Sequence, residues 1–214
     1  MLVWDGRVVG KETNVKENDL IVVASSNEGK VKELAKFLNG AAVRVTILPN
    51  AEAVLEGVEG EVDYEANAVA KARRAAEVSG NLSLGEDSGL EVDCLRGAPG
   101  PLSARFVSPS ASPDERNEAL LQRLRNVPRD KRTARFVSVV AIAEANGEVH
   151  VFRGECEGRI ALDAAGEHGF GYDPIFIPQG YDRTFGELGL DIKNKISHRA
   201  RAMAKVKDYL ISNV

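Results

Sequence analysis

LSLGEDSGLEV, Leu82 to Val92, is the stretch on which the fold turns. An apolar run carrying Leu82 and Leu84 arrives at two adjacent carboxylates, Glu86 and Asp87. Ser88 and Gly89 follow, and a second apolar run opens at Leu90. The pattern predicts a strand that ends in a tight turn and feeds another strand. Strand neighbours point to opposite faces, so a turn is needed to bring both carboxylates to one site. Side by side they repel, and a cation or a shared proton relieves that repulsion. Loops at the ends of buried strands are where sheet proteins keep their chemistry. A solvated turn is the plain alternative for E-D-S-G alone, so the flanking sequence has to decide.

Upstream, Leu20 to Ala24 (LIVVA) is a continuous apolar run, expected of a strand buried on both faces. SSNEGK follows, and Val31, Leu34, Ala35 and Leu38 then recur with the period of an amphipathic helix. A strand, a polar turn and a helix aim backbone N–H groups at an anion. Ser25, Ser26 and Asn27 add side-chain donors there, and Lys30 adds a cation. The spacing is not that of a Walker loop, and a capped helix with a surface lysine is the plain alternative. Val43 to Leu48 alternates as a second strand and is closed by Pro49 and Asn50. Glu52, Glu56, Glu59, Glu61, Asp63 and Glu65 make an acidic connector, one member of which could join Glu86 and Asp87 at a metal. Asp63 is placed to cap a helix from Tyr64 to about Ser79, with Ala68, Ala72, Ala75 and Ala76 as its close-packing face. Asn67, Lys71 and Arg74 form another stripe, either solvent-facing or the wall of a cleft. Met1 to Asp19 is mixed and polar and is read as an N-terminal extension, so that residues 20–214 form one domain.

Downstream, CLRGAPGPLSARF (Cys94 to Phe106) carries glycines and prolines suited to a stiff ordered loop ending near Arg105. Arg105 is either a surface arginine or one that reaches a phosphate. Ser112, Pro113 and Glu115 form a capping box for a helix running to about Arg125. Ala134 to Ala145 and Val149 to Arg153 flank Asn146-Gly147 and predict an antiparallel hairpin, which Gly158 to Leu162 can continue. In GEHGFGYDP (Gly166 to Pro174), glycines bracket Phe170 and let backbone approach a flat ligand on which the ring can stack. Ser197 is placed to cap a helix from His198 to about Ile211, with His198 and Arg199 in its first turn. Cations there are mildly disfavoured by the helix dipole, a local cost that hints at a role.

Composition narrows the class. The chain has 214 residues, 43% of them hydrophobic, and a formal net charge of -4. This suits one globular domain and gives no electrostatic pull toward a nucleic-acid polymer. Cys94 and Cys156 are far apart and lack zinc spacing, which favours a reduced, cytoplasmic chain. No segment approaches the apolar length of a membrane span, so no membrane association is expected.

Four stretches resemble, in order, the signature blocks of the inosine triphosphate pyrophosphatase family, the Ham1-like or RdgB-like group. They are SSNEGKVKEL, EDSGLEVDCLRGAPGPLSARF, GFGYDPIFIP and KNKISHR, and the likeness runs from about Leu20 to the C-terminus. The resemblance implies an elongated α/β fold: two lobes around a central curved mixed β-sheet with flanking helices, and a nucleotide cleft between the lobes. It implies Mg²⁺-dependent hydrolysis of non-canonical purine nucleoside triphosphates (ITP, dITP, XTP) to the monophosphate and pyrophosphate, by a homodimer. Carried over residue by residue, Asp87 is the catalytic carboxylate. Asp87, Glu86 and a connector glutamate, Glu59 ahead of Glu56, are metal ligands. Ser25, Ser26, Asn27, Lys30, Ser88 and Arg105 contact substrate. Phe170, Gly171, Tyr172, Asp173, Lys193, His198 and Arg199 lie on the base side. The chain departs from the usual pattern at Glu86, where many members have Asp, at Glu167-His168, and in a connector lengthened near Val62 to Glu65.

Two readings from other classes compete. A nucleotide-binding regulatory protein without catalysis is the first, and the presence of both Asp87 and Lys30 argues against it. A carboxylate-pair glycosidase needs its carboxylates about 5 Å or more apart across the scissile bond and leaves Lys30, Lys193, His198 and Arg199 unused. Maf-like pyrophosphatases differ in having a basic first-strand loop where this chain has SSNEGK.

Overall fold

A computed structural model describes residues 20–39, 43–58, 60 and 63–212. The N-terminal extension, Glu59 and part of the lengthened connector lie outside them. The elements run β1 (Leu20–Ala24), α1 (Glu28–Leu38), β2 (Arg44–Ile47), α2 (Ala51–Val54), α3 (Tyr64–Ser79), β3 (Leu82–Val92) and β4 (Pro99–Gly100). They continue as α4 (Pro113–Arg123), β5 (Thr133–Ala143), β6 (Val149–Ile160), β7 (Phe176–Pro178), α5 (Phe185–Leu188), α6 (Leu190–Ile196) and α7 (His198–Ser212). The strands form one sheet in the order β2-β1-β3-β5-β6-β7, with β4 pairing off β3. The sheet is mixed, as expected. β1 is parallel to β2 and β3, joined by helical crossovers, whereas β3, β5, β6 and β7 are antiparallel.

The tight turn expected within Leu82–Val92 is not there. β3 runs unbroken through Glu86 and Asp87 and pairs with β5 from Ser83↔Ala143 to Val92↔Ala134. The reason is lateral support. Ten consecutive residue pairs to β5 hold the acidic stretch extended, and the two carboxylates therefore leave opposite faces of the strand.

That alternation organises the molecule. On one face β3 presents Leu84, then Glu86 and Ser88, then Leu90 and Val92. Leu84 belongs to an apolar core with Val140, Ile142, α1 and α7. Leu90 and Val92 belong to a second core with Ala134, Phe136, Leu120, Phe176 and Phe185. Glu86, Ser88 and Ser138 fall between the two, so one sheet face carries two hydrophobic cores separated by a polar seam. The two lobes follow from that seam. On the other face Gly85 and Asp87 meet α3, whose alanines pack on Val137, Val139 and Ala141. A Cβ at Gly85 would lie 2.3 Å from the Ala68 carbonyl oxygen, so glycine is required for α3 to approach.

Local signals start the helices as expected. Asp63 Oδ1 accepts from the backbone N–H groups of Glu65 and Ala66, and the Ser112–Glu115 capping box forms in both directions. Ser197 Oγ accepts from Ala200 N at 3.1 Å. The hairpin forms around Asn146-Gly147, and β6 continues unbroken to Ile160. No helix among the described residues is long and apolar enough to cross a membrane.

Candidate active site

The seam opens into a cavity of about 320 Å³. Asn27 and Lys30 line it from the start of α1, Asp87 and Ser88 from β3, and Phe170 to Asp173 from the glycine-rich loop. Lys193 from α6 and His198 and Arg199 from α7 complete the wall. Residues spread over the whole chain thus meet in one place.

Two buried carboxylates hold the cations. Glu86 Oε2 is 2.9 Å from Lys30 Nζ. Its Oε1 accepts from Ser138 Oγ at 2.9 Å and from Arg199 Nη2 at 3.0 Å. Burial acts to raise the Glu86 carboxyl, but Arg199, Lys30 and Lys71 outweigh it and hold the group well below the ordinary carboxylate range. Glu33, on α1, is the second. It accepts from Arg199 Nη1 through Oε2 and from Lys193 Nζ at 2.9 Å through Oε1. Lys193 also donates to Asp173 at 2.6 Å, and Asp173 accepts from Phe170 N at 2.7 Å. That bond pins the loop, and Lys193 Nζ then sits 4.3 Å from the Phe170 ring centroid, a cation–π distance. Gly29 leaves room for the ring, since a Cβ there would lie 3.1 Å from Phe170 Cδ1.

Asp87 stands apart from this network. Asn67 Nδ2 donates to its Oδ2 at 2.9 Å, and Lys71 Nζ lies 3.6 Å from Oδ1 while donating to the Glu86 carbonyl oxygen. The Asn67–Lys71 stripe of α3 is thus a buried wall, although Arg74 of the same stripe is exposed. Burial raises the Asp87 carboxyl above its ordinary value, and Lys71, Lys30 and Asn67 offset part of the effect. His198 behaves in the opposite sense. Burial first, then Arg199 and Lys193, hold its imidazole well below the ordinary histidine value, so it is neutral at pH 7. Its ring stacks on Phe136 with centroids 4.7 Å apart, and its Nδ1 is buried without a hydrogen-bond partner among the described residues.

Sequence reasoning placed most of these side chains in the same cavity, with exceptions. Ser25 is buried, its Oγ accepting from Asn27 N at 3.2 Å, and Ser26 is exposed. Neither lines the cavity. Arg105 does line it, from an exposed position at the end of a short 3₁₀ turn. Glu56 is exposed and outside it, and Glu59 lies outside the described residues. Glu86 is corrected most. It was expected to share a metal with Asp87 across a turn, but it points to the other sheet face and both its oxygens already meet protein donors. Glu33 and Ser138 were missed. The signal for Glu33 was its i, i+3 spacing from Lys30, which puts both on one flank of α1. No local pattern marks Ser138, which is buried in an apolar strand opposite Ser88.

The chain matches the Ham1 family over residues 21–209. It is 46% identical over 190 residues to a dITP/XTP pyrophosphatase of Desulforamulus reducens, covering 89% of this chain and 94% of that protein. It is 46% identical over 191 residues to the protein of the same name from Symbiobacterium thermophilum, with 89% and 94% covered. Among solved structures, a HAM1 protein from Coxiella burnetii superposes with a TM-score of 0.82 at 34% identity, covering 90% of this chain and 98% of that one. With the family match and these relatives spanning nearly the whole length, the chain belongs to the Ham1 family.

Proposed function

We propose that this protein hydrolyses non-canonical purine nucleoside triphosphates, ITP, dITP and XTP, to the nucleoside monophosphate and pyrophosphate. The observation that carries this reading is the shared cavity. Lys30 and Asp87 stand in the same cleft as an aromatic ring, Phe170, that is flanked by Lys193 and Arg199. One part of the cleft suits a polyphosphate and the other a flat base.

The chemistry follows from the groups present. Asp87, whose carboxyl burial raises above its ordinary value, orients a water and in its ionised form accepts its proton as the water oxygen attacks the α-phosphorus. The new P–O bond forms, the bond to the β-phosphate oxygen breaks, and pyrophosphate leaves. General-base help of this kind is worth typically ~10²–10⁴-fold. Lys30 exchanges part of its contact with Glu86 for phosphate oxygens. Backbone N–H groups at the start of α1 face the same anion. The family reading implies a divalent metal, which we take to be Mg²⁺. Mg²⁺ needs only one or two carboxylates beside phosphate oxygens and water, and Asp87 fits that need. When bound, the ion neutralises charge on the transferring phosphate. Glu86 serves instead to hold Lys30 and Arg199 in place.

Base choice rests on the far wall. Hypoxanthine and xanthine present an acceptor oxygen at the 6-position, and adenine presents a donor. Donors on that wall, side chain or backbone N–H, pair with the former and are left unpaired by the latter, at a cost of roughly 1–3 kcal/mol per mismatch. Neutral His198 adds a group that can pair with a base edge.

The deciding experiment is a steady-state panel of ITP, dITP, XTP, GTP and ATP with Mg²⁺, scored for pyrophosphate and for phosphate. We expect pyrophosphate from the first three and loss of turnover in Asp87→Asn. Orthophosphate as the product, or full activity in that variant, overturns the reading. The family's homodimer is expected here too, and sedentation by analytical ultracentrifugation at micromolar concentration tests it.

A further inference from the structure

The hairpin between β5 and β6 carries a second cluster that the nucleotide reading does not use. Glu144 follows the last residue of β5, Glu148 precedes β6, and His150 is the second residue of β6. Glu144 N donates to Glu148 O at 2.9 Å, so the two glutamates face each other across the turn. Like charges directly opposite one another destabilise a hairpin. Among the described residues the only ion pair at this turn is His150 with Glu148. His150 pairs in register with Ile142, and the period of two therefore puts Glu144, Glu148 and His150 on one sheet face. That face is the one covered by α7, whose Tyr209 ring lies 4.5 Å from the imidazole.

One donor atom from each residue lies within 4.8 Å of the other two. Glu144 also leaves an atom unused. Glu144 Oε1 is buried with no hydrogen-bond partner among the described residues, and His150 Nε2 faces Glu148 Oε1 on a side chain only 11% exposed. The other Glu144 oxygen accepts from Asn146 Nδ2 at 2.9 Å, which fixes the carboxylate with Oε1 free. The Tyr209 contact restrains the ring in the same way. Orienting partners behind the ligands are what a metal site needs. His150 Nε2 and Glu148 Oε1 are 3.3 Å apart. That matches the edge of a tetrahedron with bonds of about 2.0–2.1 Å, which is about 3.3 Å.

We infer that Glu144, Glu148 and His150 form a second cation site at the tip of this hairpin, for one borderline divalent transition-metal ion of the zinc class. One imidazole and two carboxylates, with water in the remaining position, suit such an ion better than Mg²⁺, which prefers oxygen alone. The site is separate from the cleft. Glu144 is five residues along β5 from Val139, the partner of Asp87, or about 16 Å at the rise of a strand. Its role is to tie the hairpin tip closed, not to take part in hydrolysis.

The inference is independent of the proposed activity, and the test keeps them apart. Zn²⁺ alone is titrated calorimetrically into the Asp87→Asn protein, which lacks the cleft carboxylate. One equivalent is expected, and adding His150→Ala or Glu144→Gln should remove it or weaken it by at least about tenfold. In parallel, the His150 ring resonances should shift on Zn²⁺ addition to the wild-type chain. Glu144→Gln in the otherwise wild-type chain should retain its turnover with Mg²⁺, which shows that it folds. The inference is overturned if Asp87→Asn takes up no Zn²⁺, or if uptake is unchanged without these side chains.

Discussion

Lys30 Nζ stands 2.9 Å from one oxygen of Glu86, while Arg199 and Ser138 occupy the other. One buried carboxylate thus joins the start of α1 to the start of α7 across the seam between the two cores. Removing its charge takes the carboxylate from Lys30 and leaves Arg199 with Glu33 alone. Glu86→Gln should cost about 3–5 kcal/mol, the usual penalty for breaking a buried pair from one side. Urea unfolding measures it, and a loss under about 1 kcal/mol would show that the seam does not depend on this charge.

The same residue sets a pH dependence of stability. Its folded carboxyl lies well below the ordinary value of 4.5. A depressed acid contributes its full stability above the unfolded value and loses it as pH falls toward the folded one. The urea midpoint should therefore decline below about pH 4.5, and Glu86→Gln should flatten that decline. An equally steep decline in the variant would assign it to other groups.

Asp87 gives the opposite sign in activity. Its carboxyl is raised above 3.8, and only the ionised form accepts a proton. The acid limb of kcat should therefore have its midpoint above pH 3.8. Lys71 acts to lower that carboxyl, so Lys71→Met should move the limb to higher pH. A limb that stays where it is, in a variant that still folds, would separate the acid limb from Asp87.

Phe170 should act through binding. Removing a ring that stacks on a base costs about 1–3 kcal/mol, which is roughly 5- to 150-fold. Phe170→Ala should raise KM for ITP by such a factor with a smaller change in kcat. A fall in kcat at constant KM would place the ring's role elsewhere.

Gly85 tests how Asp87 is positioned. Its Cβ position is 2.3 Å from the Ala68 carbonyl oxygen and 2.6 Å from Ala72 N. Gly85→Ala must push α3 off β3 and carry Asn67 and Lys71 away from Asp87. A stability loss of about 1–3 kcal/mol should accompany lower turnover, read by thermal unfolding and by pyrophosphate release. An unaffected enzyme would mean that α3 is not held at this distance.

Much of the architecture was legible because its signals are local. The LIVVA run, the Val31–Leu34–Leu38 stripe, the Asp63 and Ser112 caps and Asn146-Gly147 each act within a few residues, and each formed as expected. The site was partly legible for a different reason. Lys30, Asp87, Phe170, Lys193, His198 and Arg199 stand in stretches that resemble one family, so their meeting in one cleft could be expected without any account of the packing.

What the sequence alone determined, then, is the elements whose signals are local, such as the LIVVA strand, the capped helices and the Asn146-Gly147 hairpin, and which side chains bring charge. Only the tertiary structure decided where those charges point. Ten residue pairs to β5 kept Glu86 and Asp87 on one straight strand and on opposite faces, and α7 brought Arg199 against Glu86 from far along the chain. Periodicity reports a residue's own element, whereas a buried carboxylate takes its partners from elements that only the folded sheet brings together.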